Sequence, residues 1–289
     1  MLKQQFLQEL ESGRLMLHSS GYNSIEYVYN AIHNNTFVPE IIQQTIASTR
    51  GELFNNDSPD AGQNPFDAWG YDSIAVIPLA GIMMKYDYWW GYGVDEIAGI
   101  IRMAFDSDRI SSVIVKGDTP GGNTDSIFLL QEVLAKKRKP CYGYIDGMCA
   151  SCGYIAFSYM DKIYSINDMA RVGGIGVFAR MVVPTSKDAY YKVVEAYPDE
   201  SKDKNYPERE LAKGNDEPMK EVLSKLAVYY QGIVKANRPQ IAAETLTGKT
   251  YYSVEAIPLG MIDGIKTLSE VIGELTTLTE NRKQILSIL

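Results

Sequence analysis

The chain has 289 residues, enough for one sizeable α/β domain with or without a smaller appendage. Its 45% apolar and 22% charged residues are ordinary for a soluble globular protein. A formal charge of −8 argues against nucleic acid as the main partner, since phosphate binding needs a concentrated basic face.

Residues 1–53 read as a polar helical extension, with Phe6, Leu10, Leu15 and Leu17 loosely spaced along it. Met1 to Arg14 alternates charged and apolar residues and lacks the apolar core of a signal peptide. No stretch approaches the roughly 18 apolar residues of a membrane span, so a cytoplasmic protein without a membrane span is expected. Residues 54–73 are dense in Asn, Asp, Pro and Gly and read as a linker, which sets the main domain at 74–289.

From Ile74 the pattern changes. Ile74 to Leu79 is a short apolar run, expected as a buried strand. Val94 to Asp106 has helical spacing, with Val94, Ile97, Ile101, Ala104 and Phe105 on one face. Ser112 to Val115 is a second strand, followed by the turn Gly117-Asp118-Thr119-Pro120-Gly121-Gly122 and a helix from Ser126 to Lys137. Lys136, Lys137, Arg138 and Lys139 end that helix, where cations suit the dipole and are ordinarily solvated. Cys141 to Ile145 is a strand, Ala150 to Ser158 a helix, and Lys162 to Ser165 another strand. This alternation predicts βαβ units and a largely parallel sheet. Pro184 to Pro218 reads as a charged, exposed excursion, Met219 to Val234 as an amphipathic helix, and Leu268 to Leu289 as a terminal helix.

Elimination narrows the chemistry. The only two histidines, His18 and His33, precede the linker and read as surface residues. A Ser-His-Asp triad or a histidine-based zinc site within 74–289 is therefore not available, and no metal or cofactor is expected. Cys149 and Cys152 have redox-motif spacing, but with no Trp, Gly or Pro between them they read as small packed thiols rather than a redox pair. Cys141 completes a set of three that suggests no disulfide framework. Ser151 stands at a strand–helix junction, where its hydroxyl would be rigidly held near a helix start. Gly121 and Gly122 lie at the carboxyl end of the preceding strand, where backbone N–H groups could receive an oxyanion. Together these features suggest acyl transfer with Ser151 as nucleophile. Without histidine, the base would be a desolvated lysine, and composition does not choose among the lysines.

Several blocks resemble the signal peptide peptidase A family of serine peptidases. They are Ile74 to Ile82, Asp118 to Gly122, Ala150 to Ala156, Asp161 to Tyr164, Gly173 to Val177, Thr247 to Tyr251 and Ala256 to Asp263. The resemblance runs in order from about Ile74 to Leu275. It implies a crotonase-like, Clp-protease-like α/β fold of repeated β-β-α units, and a Ser-Lys dyad with Ser151 as nucleophile. It also implies oxyanion or substrate-binding roles for Gly121 and Gly122. Cys152 stands beside the nucleophile where the family has glycine, and so lines or backs the site. The family's lysine matches either Lys204, which we favour, or Lys202, within Ser201 to Arg209. Gly174 takes the place of a serine that in the family helps hold the lysine.

Lacking a membrane segment, the chain looks most like the phage and prophage branch, the capsid maturation proteases. That implies a homo-oligomeric ring and a protein or peptide substrate such as a capsid scaffold or coat protein. Tyr86, Tyr88, Trp89, Trp90 and Tyr92 would then form a subunit or substrate surface, or simply cap the core. A signal-peptide-peptidase-like degradative protease and a catalytically impaired scaffold of the same fold are the alternatives. An acyl-CoA enzyme of the crotonase class would need basic residues near the Pro-Gly-Gly turn, where Asp118 and Asp125 stand instead.

Overall fold

The computed structural model of the chain describes residues 15–17, 64–86, 93–179 and 196–288. His18, His33, Tyr88, Trp89, Trp90 and Tyr92 lie outside the described residues, as does most of the N-terminal extension. Leu15–Leu17, expected on a helix, forms instead a short strand, β1.

Three elements open the main domain: strand β2 (Ser73–Ala80), helix α1 (Val94–Asp106) and strand β3 (Ile110–Thr119). A three-residue strand β4 (Gly121–Asn123) and helix α2 (Thr124–Ala135) follow the Pro120 turn. Strand β5 (Cys141–Ala150) runs directly into helix α3 (Cys152–Ser158) through Ser151. After β6 (Lys162–Ser165) and β7 (Arg171–Gly173) come helices α4 (Tyr206–Ala212) and α5 (Glu217–Asn237). Strand β8 (Thr250–Tyr252), the turn-length α6 (Ser253–Ala256), β9 (Gly264–Ile265) and helix α7 (Leu268–Ile288) complete the described chain.

Seven strands form one sheet in the order β2-β3-β5-β6-β9, with β7 branching from β5 and pairing with β8. Every pairing in it is parallel except β7 with β8. Pro78 is tolerated in β2 because that strand lies at the end of the order, where a missing N–H need break no ladder bond. The residues 64–73 pack against this domain: Phe66 is buried in the core, and the Asn64 side chain donates to the Met103 carbonyl at 2.7 Å.

The period-2 alternation of the strands sorts side chains onto two faces. Val113, Val115, Cys141 and Ile145 join the main core with residues of α1, α2, α3 and α5. Ile114, Tyr142, Tyr144 and Tyr164 point the other way and meet Val271 and Leu275 of α7. Glu274 anchors that helix: its carboxylate accepts from the Tyr142 and Tyr164 hydroxyls and pairs with Lys162 and Lys266. At the end of α5, buried Arg238 makes a two-pronged pair with Asp263 at 2.9 and 3.2 Å.

Helix α3 lies close against the sheet because two strand positions lack side chains. A Cβ at Gly117 or Gly143 would stand 2.5 or 2.7 Å from the Phe157 ring. The helix is buried along its whole length, so the junction before it is held in place.

Candidate active site

Ser151 links β5 to α3 with φ 57° and ψ −122°, a backbone conformation that costs a non-glycine residue about 1–3 kcal/mol. The surroundings enforce it. Ala150 is registered against Gly173 of β7, and the Ser151 N–H donates to the Gly173 carbonyl at 2.7 Å. On the other side the Ser151 carbonyl accepts from the Ile155 N–H, which starts the helix. The strand cannot continue and the helix must begin, so the chain turns at this residue. Ser151 is 3% exposed, and its Oγ has no hydrogen-bond partner among the described residues.

Beside it lies the Pro-Gly-Gly turn. The Thr119 hydroxyl donates to the Gly81 carbonyl at 2.6 Å and accepts the Gly121 N–H at 3.1 Å. Met83 holds the next residues: its N–H donates to the Gly121 carbonyl, and its carbonyl accepts the Asn123 N–H, both at 2.8 Å. Strand groups alternate in direction, so the Gly122 N–H and carbonyl face away from Met83. The packing also demands glycine at this position, because a Cβ on Gly122 would lie 1.8 Å from the Met83 carbonyl oxygen. Of the two glycines, Gly121 spends its N–H inside the turn, while Gly122 presents its own outward. The Asn123 side chain accepts from the Asp125 N–H and caps α2.

Cys152 packs behind this turn, its Sγ 3.5 Å from both the Gly122 and Asn123 carbonyls. All three cysteines are free and buried. Burial pushes the Cys141 and Cys152 thiols up to about 12 and Cys149 well above its ordinary value. These are packed, protonated thiols, as expected from the sequence. Gly174 follows Gly173 with φ 65°. A Cβ there would stand 3.3 Å from Thr250 Cγ2 and 3.5 Å from the Ser151 nitrogen, so a serine at this position would carry backbone strain.

Ser151, Cys152, Gly121 and Gly122 therefore converge. Lys202 and Lys204 are not brought to Ser151, whose Oγ none of the described lysines reaches. Both lysines are exposed on the segment before α4. Arg209 knits that segment together, stacking 4.1 Å over the Tyr197 ring and donating to the Lys202 carbonyl. Lys204 lines a cleft of about 360 Å³ with Tyr197, Pro198 and Ser201. The sequence reading did not single out Met83, which aligns the turn, or Arg209 as an organiser. Met83 carries no polar signal that could have marked it.

The model of Peptidase family S49 matches residues 134–282, just over half of the chain. Protease 4 of Haemophilus influenzae is 32% identical over 104 residues, which is 35% of this chain and only 16% of that protein. Among solved structures, a membrane protease specific for a stomatin homolog from Pyrococcus horikoshii superposes with TM-score 0.44 at 15% identity. The match covers 70% of this chain and 77% of that one. An enoyl-CoA hydratase/isomerase family protein from Silicibacter pomeroyi gives 0.42 at 14% identity, over 72% and 80%. Among the described residues, no helix is long and apolar enough to cross a membrane. On the strength of the match over residues 134–282, the chain belongs to Peptidase family S49.

Proposed function

We propose that the protein is a serine endopeptidase in which Ser151 is the nucleophile, the Gly122 N–H an oxyanion donor and Lys204, or else Lys202, the general base. The observation that carries this reading is Ser151 itself. A strained, buried serine whose hydroxyl has no partner among the described residues stands next to a glycine turn whose outward N–H is oriented by Met83.

The neutral lysine takes the Ser151 proton as Oγ bonds to the peptide carbonyl carbon, and the resulting oxyanion is held by Gly122 N–H. Collapse expels the amine, which receives the proton from the lysine ammonium, and water then hydrolyses the acyl-enzyme with the lysine again as base. The exposed segment bearing Lys202 and Lys204 must approach Ser151 for this, and bound substrate or a neighbouring subunit would supply the burial. Activity should rise toward alkaline pH, because only the neutral amine accepts a proton. No step requires a metal or cofactor.

For the biological role we propose trimming of a phage capsid scaffold or coat protein within a homo-oligomeric ring, on the resemblance of the sequence blocks alone. A degradative role like that of signal peptide peptidases fits the same chemistry. That neither lysine bonds to the Ser151 Oγ, with Gly174 in place of a serine, favours one further reading: an impaired peptidase retained as a scaffold. Casein and self-cleavage assays by mass spectrometry on wild type, Ser151→Ala, Lys202→Ala and Lys204→Ala separate these. Loss of cleavage in Ser151→Ala and in one lysine variant identifies the dyad. Full activity in Ser151→Ala defeats the peptidase reading, and inactivity of every form favours the scaffold.

A further inference from the structure

β1 pairs antiparallel with β4, with Leu15 opposite Asn123, Met16 opposite Gly122 and Leu17 opposite Gly121. One edge of β4 is closed by Met83, which takes the Gly121 carbonyl and the Asn123 N–H. The other edge carries the Gly122 N–H and carbonyl, so Met16 and Gly122 are the hydrogen-bonded pair of this short ladder. The Met16 carbonyl thus sits on the N–H proposed above as the oxyanion donor. The residue behind that pair, Cys152, is the immediate neighbour of Ser151.

We infer that the β4 edge is a binding site for an extended peptide, and that Leu15–Leu17 of this same chain is its resident occupant, lying where a substrate strand would lie and competing with it. The inference rests on the proposed function only in calling the visitor a substrate; the pairing itself is independent of catalysis. A strand edge of this kind, once its occupant leaves, takes extended chains by main-chain hydrogen bonding. A tethered occupant competes at an effective concentration in about the millimolar range, enough to reject weakly bound peptides.

The test uses full-length Ser151→Ala protein, so that nothing is cleaved, and a fluorescent peptide copying residues 11–21. Met16→Pro added to this background deletes the N–H that β1 gives to the Gly122 carbonyl, and should raise peptide affinity about tenfold or more. Leu15→Pro, whose N–H faces away from β4, should leave affinity near that of the parent. Equal affinities for the parent and Met16→Pro, or binding by neither, would overturn the inference, and equal release by both proline variants would overturn the register. With Ser151 restored, Met16→Pro should also accelerate fluorophosphonate labelling of Ser151. Tighter peptide binding without any labelling would support the resident strand while sinking the peptidase reading.

Discussion

Replacing Ser151 by alanine removes one hydroxyl from a site where it has no partner among the described residues and only 3% exposure. An unpaired buried hydroxyl costs about 1–3 kcal/mol of desolvation, and the oxygen-sized gap left by alanine returns less than that. The expected net gain is about 1–2 kcal/mol, or about 3–6 °C in melting temperature for a folded unit of this size. Ser151→Gly should gain about 1 kcal/mol more, since glycine accepts φ 57° freely and the relieved strain exceeds its extra chain entropy. Thermal and urea unfolding of the three proteins side by side is the assay. If Ser151→Ala is instead less stable than wild type, the hydroxyl holds a hydrogen bond in solution. The reasoning from an unpartnered Oγ then fails, and a lysine already seated on Ser151 becomes its natural partner.

Other expectations follow from the same geometry. Gly122→Ala drives a methyl into the Met83 carbonyl and should displace β4, lowering kcat/KM about 100-fold or more while the cooperative melt is retained. The three cysteines should stay unmodified by a thiol reagent in the native protein and all react after denaturation, because burial keeps each thiol protonated. At Glu274 burial opposes ionisation, yet hydrogen bonds from Lys162, Lys266 and Tyr164 hold the carboxyl down at about 2. A depressed carboxyl stabilises fully above its unfolded value and loses that contribution as pH falls toward 2. Glu274→Gln should therefore cost about 2 kcal/mol near neutral pH, with the gap to wild type closing in acid; a gap that does not change with pH would refute the ion-pair account.

The local pattern carried most of the scaffold. The apolar spacing of Val94 to Asp106 coincides with α1, and Lys162 to Ser165 with β6, because both elements are read from contiguous periodicity against one core. Strands β3 and β5 extend to Thr119 and Ala150, further than their apolar runs, since parallel neighbours supply ladder bonds that the sequence of one strand cannot announce. Elimination of histidine and the strand–helix junction singled out Ser151 from sequence. Its positive φ, its commitment to the Gly173 carbonyl and its unpaired hydroxyl were decided by strands far apart in the chain.

The lysine was the least legible part. Only the family resemblance named Lys202 and Lys204, and which side chain can reach a hydroxyl depends on how a polar, exposed segment folds against the rest, which no periodicity governs. The division of labour between Gly121 and Gly122 was hidden for the same reason: two identical residues are told apart by Thr119, which accepts the Gly121 N–H, and by Met83, which lies 38 positions before Gly121 and bonds it through backbone alone. Residue type and period determined what could be buried and where a nucleophile could stand. Hydrogen-bond direction across distant segments, which sequence does not encode locally, decided which groups point into the site and that Leu15–Leu17 lies along its edge.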